Sequence, residues 1–105
     1  MGRSLTGTSI AASARVELRR HGVLEPQFTD VIDSAKDGHS IRAVTYDATT
    51  GKRRNTCETS SVKDCEISPR IAKGHEVRVK VYWVKGKTAT YLGTVTTDKG
   101  KLPVV

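Results

Sequence analysis

The chain has 105 residues, which is enough for one domain built around one hydrophobic core. Hydrophobic residues make up 36% of the chain and aromatic residues 5%, a lean supply for that core. The formal net charge of +7 is unevenly placed, with eight basic and two acidic residues in 70–105 but two basic and five acidic in 22–47. No run approaches the roughly eighteen apolar residues of a membrane-spanning helix, so we expect no membrane insertion.

Residues 1–12 are small and polar and predict a mobile N-terminal arm. We expect a single domain over residues 13–98 and a C-terminal tail over 99–105. Residues 1–14 lack the apolar stretch of a signal peptide. If the protein is exported, we therefore expect its export signal to have been removed.

Alternation of apolar and polar residues predicts a first strand over 13–20, with Val16 and Leu18 on one face. A weaker strand is predicted over 27–33. Its face bearing Phe28 is interrupted by Asp30, so we place this strand at the edge of a sheet.

A β-rich run over 40–47 follows an Asp-Gly turn signal, and a return strand over 53–59 follows the next turn. Cys57 is expected near the end of the return strand, where a polar loop begins. Pro69 prevents any central strand from continuing, because proline has no amide hydrogen for the ladder.

The strongest predicted element is a hairpin over 76–98, in which apolar and basic residues alternate along the first strand. One face of that strand carries Val77, Val79, Val81 and Trp83, and the other face carries Arg78, Lys80 and Tyr82. Lys85 to Lys87 are predicted to form the turn. On the second strand, one face carries Ala89, Tyr91, Gly93 and Val95.

No segment shows helical spacing over three turns. Six or seven short strands separated by turns predict an antiparallel β-sandwich of the immunoglobulin-like, Greek-key type. A five-stranded OB-like barrel remains the alternative.

Cys57 and Cys65 are the only cysteines, and seven residues separate them. Zinc sites prefer two to four intervening residues, and redox pairs prefer two at the start of a helix. Two free thiols remain possible. The spacing nevertheless favours a disulfide that supports the lean core, and a disulfide indicates an oxidising, extracellular location.

The segments "DGHSIRAVTYDATTGK" and "KGHEVRVKVYWV", on either side of the cysteine-bounded loop, give the chain a resemblance over about residues 26–98. The layout resembles small exported single-disulfide β-sandwich proteins of actinobacteria. Members of that group that have known roles are non-catalytic binding or adaptor subunits. The resemblance therefore implies an exported binding module and assigns no functional residue.

Catalysis would require a positioned base, acid or nucleophile. The three histidines, His21, His39 and His75, form no known catalytic motif, and we expect His39 and His75 to be solvent-facing loop residues. We therefore predict a protein that is not an enzyme, with no catalytic residues, no metal and no cofactor.

The function that the sequence favours is that of a secreted binding or adaptor module, monomeric on its own, that docks a protein partner, for instance in a toxin-like assembly. Docking by strand addition is expected at 27–33 or through the arm.

Two alternatives involve other residues. A basic and aromatic hairpin could bind nucleic acid or another anionic polymer through Arg78, Lys80, Tyr82, Lys85 and Lys87. The cysteine loop could instead present Lys63 to a trypsin-like protease as an inhibitor.

Overall fold

A computed structural model describes residues 8–11, 14–20, 23–24, 27–33, 38–95 and 101–105. Every regular element among these residues is a β-strand. The strands are β1 (Thr8–Ala11), β2 (Ala14–Glu17), β3 (Arg19–Arg20), β4 (Val23–Leu24), β5 (Phe28–Asp33), β6 (Ser40–Asp47), β7 (Lys52–Thr59), β8 (Val62–Glu66), β9 (Val77–Lys85) and β10 (Thr88–Thr94).

Eight of the strands form two antiparallel sheets that pack on each other. The first sheet has the order β1-β2-β5-β8 and the second has the order β10-β9-β6-β7, while β3 and β4 form a small separate ribbon. The prediction of an antiparallel β-sandwich is confirmed, and the barrel alternative is not what forms. Strand β8 was not predicted, because it lies inside the segment that was expected to be a loop.

The core lies between the two sheets and follows the alternation of the strands. In β9 the side chains of Val77, Val79 and Val81 are fully buried while Arg78 between them is exposed. Burying one such valine contributes about 1.5–3 kcal/mol. The other buried apolar residues of the cluster are Val16, Leu18, Val31, Ile41, Ala43, Cys57, Ile67, Ile71 and Val95.

Strand β5 differs from its prediction in position and in orientation. It pairs with β2 on one side and with β8 on the other, so it is interior to the first sheet and is not an edge strand. Thr29 and Val31 are fully buried and face the core, whereas Phe28 and Ile32 are half-buried. The prediction failed because the polar strand β8, which covers the second edge of β5, was not recognised.

The cysteine-bounded segment is a strand, a turn and a second strand rather than a polar loop. Strand β7 ends at Thr59, the turn lies at Ser60 and Ser61, and β8 begins at Val62. Cys57 and Cys65 form a disulfide with a Cα–Cα distance of 5.9 Å. Because β7 is an edge strand of the second sheet and β8 is an edge strand of the first, the disulfide ties the two sheets together.

The segment after β8 is held by the buried side chain of Gln27. Its Nε2 donates to the Ile71 carbonyl at 2.8 Å, and its Oε1 accepts from the Ile71 amide at 3.1 Å. The Gln27 backbone carbonyl also accepts from the Ile67 amide at 2.7 Å. One glutamine therefore pairs with backbone groups of two buried residues, Ile67 and Ile71, in a segment that belongs to neither sheet.

The two ends of the chain are partly described. Thr8–Ala11, within the segment predicted as an arm, pair antiparallel with β2, while residues 1–7 and 12 lie outside the described part. At the other end, the Val105 amide donates to the His75 carbonyl at 3.0 Å, and the Gly74 amide donates to the Val105 carbonyl at 2.7 Å. The described end of the tail therefore lies against the loop that leads into β9.

Candidate functional site

The hairpin that the sequence singled out is formed by β9 and β10 with a two-residue turn. Lys85 pairs with Thr88, so Gly86 and Lys87 make the connection. Gly86 has φ of +59°, a conformation that residues with a Cβ rarely adopt, and this explains a glycine at that turn position.

The five predicted binding residues do not lie on one face. Strand alternation places Arg78, Lys80 and Tyr82 on the outer face of the second sheet, away from the core. Lys85 points to the opposite side, and Lys87 lies in the turn. The structure therefore separates this set into two surfaces with different neighbours.

The outer face of the second sheet combines aromatic and cationic side chains. The rings of Tyr82 and Tyr91, which are directly opposite across β9 and β10, are 5.7 Å apart and tilted at 60°. Nζ of Lys80 lies 5.4 Å from the ring centroid of Tyr46 on the neighbouring strand β6. Arg78 is exposed and pairs with Tyr46 across the strands. We call Tyr46, Arg78, Lys80, Tyr82 and Tyr91 the outer-face cluster.

An ion pair beside this cluster neutralises one of the cations of the same face. Nε of Arg42 donates to Oε1 of Glu58 at 2.7 Å, and the Ser40 hydroxyl donates to Oε2 at 2.8 Å. These hydrogen bonds, first from Arg42 and then from Ser40, lower the pKa of Glu58 below its usual value. Besides Arg42, this face carries Arg78, Lys80 and the exposed Arg53, which pairs with Tyr46.

A pocket lies at the turn end of the hairpin, on the face of the second sheet that bears the core valines of β9. It has a volume of about 250 Å³ and is lined by His39, Trp83, Lys85, Thr88 and Thr90. The imidazole of His39 stacks on the indole of Trp83 with 3.6 Å between ring centroids and 13° between planes. His39 is thus half-buried against an aromatic ring, which differs from the solvent-facing position expected of it.

Trp83 shares the face of Val77, Val79 and Val81, as predicted, yet it is 38% exposed while those valines are fully buried. The described part of the first sheet therefore does not cover this end of the hairpin. The result is an indole that is held in place by His39 and still reaches solvent.

The two flanks of the sandwich differ in chemistry. Strands β7 and β8 carry charged residues along their edges and are joined by the disulfide, and we call this flank the clasped side. Strands β10 and β1 approach each other at the opposite flank, and neither strand contains a charged residue or a proline. We call this flank the open side. Four consecutive residues of β10, from Thr88 to Tyr91, are exposed.

Lys63, the candidate inhibitory residue, is exposed and lies within β8, where it pairs with Val31. The backbone of this part of β8 is therefore already paired with β5 on one side. This placement differs from the free loop that the inhibitor hypothesis assumed.

His75 is half-buried rather than solvent-facing, because it contacts a buried carboxylate. Its Nδ1 lies 2.9 Å from Oδ2 of Asp47, and the amides of Thr49 and Thr50 donate to Oδ1 of Asp47 at 3.1 and 3.2 Å. The hydrogen bond to His75 is the main cause of a lowered pKa for Asp47. The contact fastens the β6–β7 turn to the loop before β9. His21 lies outside the described residues.

In the described part of the chain, no group of three or more His, Cys, Asp or Glu side chains is arranged to hold a metal ion. Nor do the described residues include a helix that could span a membrane.

The sequence interpretation missed the parts of the site that depend on strand register. Tyr46 joins the outer-face cluster because β6 lies between β7 and β9, and His39 meets Trp83 because Ser40 pairs with Val84. The hairpin register was the available signal for Tyr91, because a two-residue turn at Gly86 and Lys87 places Tyr91 opposite Tyr82. For His39 the sequence offered no comparable signal.

Comparisons with protein families, with curated proteins and with solved structures return no match to this chain.

Proposed function

We propose that this protein is a secreted, non-catalytic binding module that docks an extended segment of a protein partner along the open side of the sandwich. The observation that carries this proposal is the edge of β10, where Thr88 to Tyr91 are exposed. A disulfide between the sheets is consistent with an oxidising location outside the cell.

An edge strand carries a row of amide and carbonyl groups that can pair with another chain. Proteins usually protect such edges with charges, prolines or bulges. The clasped side has the charges, for example Arg53 and Arg54 on β7 and Lys63 on β8. The strand β10 has only a register shift between Tyr91 and Gly93, which leaves its first four residues regular. The open side is therefore the flank suited to strand addition.

Charge selects the kind of segment that would dock there. Lys85 and Lys87 are exposed at one end of the edge, and Arg78 and Lys80 lie on the adjoining strand. An extended segment with acidic side chains would meet these cations, whereas a basic one would be repelled. We therefore infer an acidic, extended segment as the docking partner.

A pull-down from the fluid around the producing cells, followed by hydrogen exchange on the purified complex, tests the proposal. We expect the amides of β10 to exchange more slowly when the partner is bound. The amides of successive residues in an antiparallel strand point alternately toward the partner strand and away from it, so only one of the Ala89 and Thr90 amides donates to β9. Proline at the other of these two positions, as Ala89→Pro or Thr90→Pro, leaves the hydrogen bonds between β9 and β10 intact. That folded variant should lose the partner.

Thr56→Pro on the clasped side is the matched control for a folded proline variant, and it should retain the partner. Retention by the folded β10 variant, or slowed exchange confined to other strands, would contradict docking at the open side.

A second candidate function, binding of nucleic acid or another anionic polymer, is favoured by the outer-face cluster. Tyrosine rings beside Arg78 and Lys80 offer stacking surfaces next to cations, which is how single strands are bound. The steepness of the salt dependence distinguishes the two candidates, since phosphate-driven binding weakens steeply as salt rises, whereas strand addition rests on main-chain pairing and charge only selects the segment. Retention of the partner at high salt would count against the polymer.

A further inference from the structure

We propose that the pocket at the turn end of the β9–β10 hairpin binds one residue of an acidic sugar, with a uronic acid as the chemical class. The pocket has a volume of about 250 Å³, and its lining combines an aromatic stack, an ammonium group and two hydroxyls. The pocket shares Lys85, Thr88 and Thr90 with the surface proposed for strand docking, but it uses their side chains rather than the backbone edge, and its test needs no protein partner.

The aromatic part of the pocket is a stacked pair of rings. His39 covers part of the Trp83 indole by parallel stacking, and 38% of Trp83 remains exposed. The face of an indole carries negative charge density, which attracts the weakly positive C–H groups on the flat side of a sugar ring. A rigid indole makes this contact with little loss of side-chain entropy.

The polar part of the pocket offers partners for the remaining groups of a uronic acid. Lys85 offers an ammonium group for the carboxylate, and Thr88 and Thr90 offer hydroxyls that both donate and accept hydrogen bonds. Ring hydroxyls of a sugar also do both. No carboxylate is among the described lining residues, so an anion is not repelled there.

The size of the pocket suits a small ligand or a single residue of a larger one. Pockets for drug-sized ligands occupy about 300–1,000 Å³, and this volume is below that range. A single sugar ring is therefore favoured over a nucleotide, whose base, ribose and phosphate need more room. Binding of a nucleotide is an outcome that the test below distinguishes.

Trp83 is the only tryptophan of the chain, so its fluorescence reports on the pocket alone. The probes are D-glucuronate, D-glucose and adenosine monophosphate. We expect a saturable fluorescence change with D-glucuronate and a Kd on the order of 1 mM, given the binding efficiency of small ligands. D-Glucose, which lacks the carboxylate, should bind about tenfold more weakly.

Substitution of the ammonium group checks the assignment without disturbing the core. Lys85→Gln should raise the Kd for D-glucuronate about tenfold and remove the preference over D-glucose. Lys52→Gln is the matched control, because Lys52 is also an exposed lysine and lies on the other edge strand of the same sheet.

The absence of a saturable change up to about 50 mM D-glucuronate, a range well above the expected Kd, would overturn the proposal. Equal weakening by both lysine variants, equal affinity for D-glucose, or tighter binding of adenosine monophosphate would overturn it as well.

Discussion

His75 Nδ1 and Asp47 Oδ2 lie 2.9 Å apart, and Asp47 is only 1% exposed. The contact joins the turn after β6 to the loop before β9, two segments separated by strands β7 and β8 in the chain. A buried carboxylate with this partner and with two amide donors is favoured in its charged form.

The first prediction concerns acid stability. The pKa of Asp47 in the folded protein is below its ordinary value of 3.8, with the hydrogen bond from His75 as the main cause. The folded state therefore binds this proton more weakly than the unfolded state does. The resulting stabilisation is present above the ordinary pKa and is lost as the pH falls through the folded value. Urea unfolding from about pH 7 to about pH 2.5 should show this loss.

Asp47→Asn should remove that part of the pH dependence. We expect it to be less stable than the wild type near neutral pH, with the difference narrowing in acid. Glu66→Gln, at an exposed position on β8, is the control. A difference between Asp47→Asn and the wild type that stays constant with pH would contradict the assignment.

The second prediction concerns the disulfide. Its nine-residue loop corresponds to about 2.5 kcal/mol in the chain-entropy account. Replacing Cys57 and Cys65 together by alanine should lower the free energy of unfolding by about that amount and the Tm by roughly 10–20 °C.

Hydrogen exchange of the same double variant should increase first in β8, because the covalent link to the second sheet is lost. Intact mass with and without reductant, and resistance of the folded protein to alkylation, check the disulfide itself. Rapid alkylation of both sulfurs in the native protein would contradict it.

The third prediction concerns Gln27. Gln27→Met keeps a similar side-chain length but leaves the amide and carbonyl of Ile71 without their hydrogen-bond partner. Each unsatisfied buried group costs about 1–3 kcal/mol, so we expect a loss of at least about 2 kcal/mol in urea unfolding. Thr56→Ala at an exposed position should change stability by less than about 0.5 kcal/mol. A similarly small effect of Gln27→Met would show that water replaces the amide.

The fourth prediction tests whether the outer-face cluster forms a charged surface. The double change of Arg78 and Lys80 to glutamine should lower the salt concentration that elutes the protein from a phosphate matrix, and reduce the salt slope by about 2. The double change of Lys52 and Lys63 to glutamine alters the net charge equally on the clasped side. Equal shifts for both double variants would mean that net charge alone governs elution.

Elements with local signals could be predicted from the sequence, and elements that depend on distant partners could not. Strand β9 was predictable because Val77, Val79 and Val81 alternate with cationic residues, and such alternation indicates a strand with one buried face. Strand β8 was missed because its residues are mostly polar. It is a strand because it pairs with β5, and that partner is not visible in the local sequence.

The candidate sites show the same division. The basic residues of the hairpin were evident, but alternation alone did not reveal that Lys85 would lie with Trp83 in a pocket. The stacking of His39 on Trp83 requires the register of β6 on β9, which the sequence does not encode in a short segment. Apart from the disulfide, which the spacing of the only two cysteines indicated, the contacts between strands that form these sites were not predicted.

Because Cys57 and Cys65 link the outermost strands of both sheets, displacement of one sheet relative to the other is restrained at that flank. At the opposite flank, β10 and β1 have no covalent link, so we expect local opening of the sandwich to begin there.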